Sequence, residues 1–195
     1  IIITLGTAWV YRYLETDSIV TNCHKVPQKN FLKELLSVDE ISEALQSIIE
    51  LIKSVNKEAS IVFTISPVRH LKDGFIENTQ SKAHLIAAIH QVIEPRNKLY
   101  YFPSYEIMMD ELRDYRFYTE DMIHPSQIAI NYIWEKFKSV WISTEAFSIM
   151  EQVEAIQKGL QHKPFNPNSI AHLKFLEMLE QKKMLLKKKY SHIDF

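Results

Sequence analysis

The sequence predicts an α/β domain of three layers, α/β/α, with a mostly parallel sheet at its centre and a helical C-terminal extension. Three observations lead there. Short β-branched or aromatic runs alternate with longer segments of helical period from Ile1 to about Trp141. Each apolar run halts at or just before a glycine or proline, at Gly6, Pro67 and Pro103. From Thr144 onward only helical period remains. Strands that alternate with helices are the mark of βαβ units, which lay helices on both faces of a parallel sheet.

Taken in order, Ile1 to Leu5 reads as a buried strand, a continuous apolar run. Asp39 is placed to cap a helix whose stripe is Ile41, Leu45, Ile48, Ile52 and Val55, at steps of three and four. Ile61 to Ile65 is a second buried strand. Ala83, Ile86, Ile89 and Ile93 form a second helical stripe, and Leu99 to Phe102 a third strand. Ser104 is placed to cap a short helix over Tyr105 to Leu112. Pro125 is placed to start a helix marked by Ile130, Ile133, Trp134 and Phe137. The expected division is a domain over residues 1–143 and a helical extension over 144–195. In that extension a helix through Phe147, Met150, Val153 and Ile156 ends near Gly159, and a proline-containing linker leads to a helix over Ser169 to Lys189.

With 195 residues, 46% hydrophobic and 24% charged, the chain is long and apolar enough to bury a core. Its 23 Lys and Arg against 24 Asp and Glu leave a formal charge of −1, so nucleic acid and anionic membranes are not expected as partners. The lysines from Lys182 to Lys189 read as the solvated end of a helix. One cysteine, Cys23, rules out an intrachain disulfide framework. No apolar run approaches the roughly 20 residues of a membrane-spanning helix. A soluble chain is expected, with the cytoplasm ahead of other compartments but the compartment and oligomeric state both open. Ile1 in place of an initiator methionine, with a strand under way at once, predicts a piece of a longer protein.

In an open α/β sheet, ligands gather at the carboxyl ends of the strands, which directs attention to the segments after Leu5, Ile65 and Phe102 and to the loop before the helix at Ile130. That loop reads Asp121-Met-Ile-His124-Pro-Ser126. An aspartate three residues ahead of a histidine can accept the Nδ1–H of the imidazole, fix its tautomer and leave Nε2 as a general base. Read alone, the pattern suits a surface turn as well. Arg69 and His70, just past the second strand, suit a polar or anionic substrate group, or a structural pairing of Arg69 with Asp73 or Glu77. Asn22-Cys23-His24-Lys25 reads either as a turn whose Asn satisfies backbone groups or as a Cys23 nucleophile beside His24, a pairing made awkward because adjacent side chains of an extended chain point to opposite faces. The eight histidines show no metal-ligand spacing, so no metal is expected.

Five blocks in order carry a resemblance. They are Thr4-Leu-Gly-Thr-Ala-Trp-Val-Tyr11, Asn22-Cys-His-Lys-Val-Pro27, Ser66-Pro-Val-Arg-His-Leu-Lys-Asp-Gly74, Phe102-Pro-Ser-Tyr-Glu-Ile-Met-Met-Asp-Glu-Leu-Arg-Asp-Tyr115 and Asp121-Met-Ile-His-Pro-Ser126. Together they resemble the GSCFA family, a branch of the SGNH, or GDSL-like, hydrolases. The resemblance implies an SGNH- or flavodoxin-like sheet and a Ser-His-Asp triad in which His124 is the base and Asp121 orients it. It implies an esterase acting on a small-molecule or carbohydrate acyl ester, with no cofactor. The family's Gly-Ser-Cys-Phe-Ala motif, in the place of the nucleophile, is not in this sequence, so the nucleophile is expected upstream.

The wider superfamily carries G-x-N-D where this chain reads Gly6-Thr7-Ala8-Trp9. Ala8 has no amide to hold an oxyanion. The backbone at Gly6 and Thr7, or the side chain of Asn22, is expected to serve instead. The alternative the departure raises is a catalytically inactive ligand-binding module.

Overall fold

The computed structural model describes residues 1–20, 23 and 25–195. Its strands in chain order are β1 (Ile2–Leu5), β2 (Trp9–Tyr13), β3 (Ser18–Val20), β4 (Phe31–Leu35), β5 (Ile61–Ile65) and β6 (Leu99–Phe102). Its helices are α1 (Val38–Val55), α2 (Phe75–Val92), α3 (Ser104–Glu106), α4 (Gln127–Trp141), α5 (Thr144–Gln161) and α6 (Ile170–Lys189). They fall into two compact units, Ile1–Lys136 and Phe137–Phe195.

In the first unit the three apolar runs make a parallel sheet of order β1-β5-β6, with Leu5 opposite Ile65 and Thr64 opposite Phe102. The central strand β5 is buried at every position, as a strand covered on both faces must be. On one face Ile61, Phe63 and Ile65 meet Ile41, Leu45 and Ile49 of α1 and Leu85, Ala88 and Ile89 of α2. Each Ile, Leu or Phe side chain among them contributes roughly 1.5–3 kcal/mol by leaving water. On the other face Thr64 and Ser104 are joined by a 2.7 Å hydrogen bond between hydroxyls, and Ser104 Oγ donates to Ile65 O at 2.6 Å. Helices therefore cover both sides, and the α/β reading with a mostly parallel sheet holds.

Four local expectations are corrected. The cap of α1 is Ser37, not Asp39: Ser37 Oγ accepts from Glu40 N while Glu40 Oε2 accepts from Ser37 N, a reciprocal box that leaves Asp39 no cap to fill. Its core stripe runs through Ile49, leaving Ile48 at 40% and Val55 at 85% exposure. Ser104 does not cap a helix because its hydroxyl is spent on β5; Pro103 holds that position, and the short helix passes into a π-helical turn at Ile107–Glu111. Pro125 precedes α4 rather than opening it, since it bridges back to Tyr118.

Of the stripe expected on α2, Ile89 is buried and Ile86 and Ile93 pack against the core, while Ala83 is exposed; the helix buries Asn78, Ser81, Lys82, Leu85, Ala88 and Ile89. Apolar period alone misses this because three of the six buried side chains are polar. They are buried because they satisfy backbone groups at the strand ends.

A second, antiparallel sheet of order β3-β2-β4 follows β1 directly, in a stretch to which the sequence reading assigned no strand. Tyr11 lies opposite Val20 on one side and Lys33 on the other. Arg12 Nε donates to Glu34 Oε1 at 2.9 Å across β2 and β4, and Asp17 turns the hairpin with a φ of 52°.

In the second unit α5 and α6 pack through Ile156, Leu179 and Leu186. Gly159 permits the close approach: a Cβ there would stand 2.7 Å from Leu179 Cδ1. Ser169 Oγ caps α6 by accepting from His172 N at 3.2 Å. Lys183 pairs with Glu180 and Lys187 with Asp194. Among the described residues no helix is long and apolar enough to cross a membrane.

Candidate functional site

The segment before α4 is folded as a closed loop. Tyr118 and Pro125 bridge, Thr119 N donates to His124 O at 2.8 Å, and Ser126 N donates to Phe117 O at 2.7 Å. Closure forces Met122 into the left-handed region at a φ of 59°, a conformation costing roughly 1–2 kcal/mol for a side chain of that kind.

Asp121 organises the interior of the loop. Its Oδ1 accepts from Thr119 Oγ1 at 2.5 Å, Ile123 N at 2.8 Å and His124 N at 3.0 Å. These bonds, led by the Thr119 hydroxyl, hold the carboxyl well below the usual aspartate range. Its Oδ2 lies 2.6 Å from His124 Nδ1. An ionised carboxylate only accepts, so Nδ1 is the donor of this bond, which in the neutral imidazole leaves the lone pair on Nε2. The side chains of His124 and Asp121 are 59% and 46% exposed, so the imidazole faces solvent.

The loop is fastened to the segment after β5. Arg69 N donates to Ile123 O and its guanidinium to Met122 O, both at 3.2 Å, while the guanidinium lies 4.0 Å from the Tyr118 ring centre and 5.6 Å from that of Tyr115. Among the described residues Arg69 pairs with neither Asp73 nor Glu77; Asp73 is bound by Lys33. Arg69 and the two tyrosines line a cavity of about 210 Å³.

Gly6, Thr7 and His70 meet at the carboxyl ends of β1 and β5. The His70 ring lies against Gly6, and its backbone N donates to Asn78 Oδ1 at 2.8 Å. Burial, aided by the charge of Lys82 and opposed by Asp73, lowers the pKa of His70 and favours the neutral ring. Thr7 and His70 line a cavity of about 460 Å³ whose wall is the antiparallel sheet, through Trp9, Tyr11 and Lys33. A cavity of about 550 Å³ opens at the other end of the sheet, against Leu99 at the start of β6, away from where ligands gather in such sheets.

Three residues that sequence reasoning missed hold this corner together. Asn78 fixes His70. Ser81 Oγ accepts from Ala8 N at 2.7 Å and shares a 3.0 Å bond with Thr7 Oγ1. Lys82, 1% exposed, donates through Nζ to Gly6 O and Ser66 O, both at 2.7 Å. Their spacing of three and four on α2 was the available signal, hidden because a Lys or Asn at helical period ordinarily marks the solvent face. Asn22 lies outside the described residues. Cys23 is free and half-buried. Among the described residues no group of three or more His, Cys, Asp or Glu is placed to hold a metal.

A family model described as the GSCFA family matches residues 1–137, and one described as GSCFA domain protein, C-terminal domain, matches residues 153–195. No curated protein and no solved structure matches the chain.

Proposed function

Since the chain belongs to the GSCFA family, we propose that it carries the acid–base pair of an SGNH-like serine hydrolase acting on acyl esters, acylated carbohydrate among them. Residues 1–143 are the hydrolase-like domain in this reading and 144–195 its helical extension. The nucleophile is the serine of the family's Gly-Ser-Cys-Phe-Ala motif, which no part of residues 1–195 contains.

One observation carries the proposal: His124 holds Asp121 through Nδ1 and offers Nε2 to solvent. In this mechanism Nε2 takes the proton of the attacking hydroxyl and later returns it to the leaving alcohol, while Asp121 steadies the imidazolium between the two steps. The bonds to Asp121 Oδ1 support that role, since a carboxylate held by its own loop cannot swing away when the imidazole becomes charged. Arg69 secures the loop, and Thr7 and His70, which line the 460 Å³ cavity at the ends of β1 and β5, are assigned to the substrate together with Gly6.

The rival reading, a ligand-binding module without catalysis, is favoured by Ala8, which is buried in the core and offers no oxyanion donor from its side chain. An assay separates the two. The protein bearing the Gly-Ser-Cys-Phe-Ala segment should hydrolyse p-nitrophenyl acetate, with His124→Ala and Asp121→Asn each lowering kcat by about 10²–10⁴. Turnover that matches wild type in both variants removes the pair from catalysis, and wild type that binds the ester without cleaving it favours the binding module.

A further inference from the structure

Helix α2 buries a lysine that no carboxylate balances. The Nζ of Lys82 bonds only to the carbonyls of Gly6 and Ser66, with the Tyr105 ring centre 5.6 Å away, and no ion pair reaches it among the described residues. A buried ammonium without a counter-ion is costly, and the fold must gain something that an apolar side chain would not supply.

The gain lies in the backbone of β1. Along the β1–β5 ladder, Val62 N donates to Ile1 O and Ser66 N to Leu5 O, each at 2.9 Å. The alternation of a parallel ladder would next give the N–H of Thr7 to the carbonyl of Ser66. Lys82 occupies that carbonyl instead, and Thr7 N makes no hydrogen bond among the described residues. Lys82 also takes the carbonyl of Gly6, in the same peptide unit. A trans peptide points its N–H opposite to its C=O, so the Thr7 N–H is aimed away from the ammonium. The next two amides of the turn are spent: Ala8 N donates to Ser81 Oγ at 2.7 Å and Trp9 N to Thr7 Oγ1 at 3.1 Å. Of these three amides, Thr7 alone is unspent, and Thr7 lines the 460 Å³ cavity beside His70.

We propose that Lys82 is a positioning residue that withdraws the Thr7 N–H from the sheet and leaves it as the donor for a carbonyl or carboxylate oxygen of the ligand. It rests on the ester-hydrolase reading for the identity of that oxygen, and it supplies the donor that Ala8 lacks. A fixed backbone N–H with a cation behind its peptide suits an oxygen on which negative charge develops.

Acetate, the product of acetyl-ester cleavage, is the probe. In ¹⁵N-labelled protein, acetate should shift the Thr7 amide in a saturable manner. In Lys82→Met the binding should weaken at least tenfold while the Thr64 and Ile65 amides keep their wild-type positions. A Thr7 amide unmoved by acetate in wild type, or moved equally in the variant, overturns the proposal. If Lys82→Met does not fold, wild type decides through pH. Burial brings Lys82 down to about 8, whereas His70 and Tyr105, the titratable groups facing it, are shifted down and up respectively, out of that range. The acetate response should fade between pH 7 and 9.5 together with the Lys82 Nζ signal, and an undiminished response at pH 9.5 overturns the proposal. No turnover is needed, so this result stands apart from the ester assay.

Discussion

The imidazole of His70 occupies the space that a side chain on Gly6 would need: its Nε2 is 3.3 Å from where a Cβ on Gly6 would stand. The glycine at the end of β1 is there for room. Gly6→Ala should push the ring by a few tenths of an ångström and lower stability by about 1–2 kcal/mol. The urea midpoint and the His70 ring resonances check this; unchanged values in both would mean that the ring is not packed against residue 6.

Asp121 gives the loop a dependence on acid. Its folded pKa is depressed by the Thr119 hydroxyl and by the amides of His124 and Ile123. A depressed carboxylate stabilises the fold above its ordinary pKa, and that contribution is lost as pH falls through the folded value. Asp121→Asn should therefore be less stable than wild type at pH 6, with the difference narrowing only below about pH 4. Urea titrations of the two proteins at pH 6, 4 and 2.5 measure it, and a gap that is constant across all three would contradict the assignment.

Lys82 acts in alkali with the opposite sign. Its ammonium is disfavoured in the fold, with a pKa of about 8, so the unfolded chain binds more protons above that value and stability rises with pH. From pH 8 to 9.5 the rise should be about 1.5 kcal/mol. Nearer pH 10 it is countered by Tyr101, whose burial and bond to Glu106 raise its pKa and favour the neutral, folded form. Denaturant unfolding at pH 8 and 9.5 reads the slope, which Lys82→Met should abolish.

The helical pair tests separately. A methyl group at residue 159 would meet Leu179 Cδ1 at 2.7 Å, so Gly159→Ala should force that side chain or the helices apart. Gain of helix propensity, about 1 kcal/mol, opposes a packing loss of about 1–3 kcal/mol. A modest net destabilisation of the α5–α6 unit is expected, read by hydrogen exchange at Ile156 and Leu179; slower exchange in the variant would count against it.

What the sequence disclosed follows from how each element is stabilised. The three parallel strands were legible because each is an apolar run; Ile61 to Ile65 is buried throughout, whereas β1, expected to be buried, lies at the edge of its sheet and leaves Ile2 56% exposed. The antiparallel sheet was hidden because every residue of β2 is only half-buried, so Trp9 to Tyr13 shows neither a clean alternation nor an unbroken apolar run. At the site, Asp121 and His124 were readable since three residues suffice to bring them together. The reach of Lys82 to Gly6, across 76 positions, leaves no local trace.

One turn of α2 touches three separate stretches of chain through Asn78, Ser81 and Lys82. A change of residue at 6, 8, 66 or 70 leaves these contacts in place, because the partner there is main chain, whereas a change at 78, 81 or 82 removes its contact outright. Among diverging relatives, the helical trio should be the slower to change, and where one of its members is replaced, the turn after β1 should be rebuilt with it.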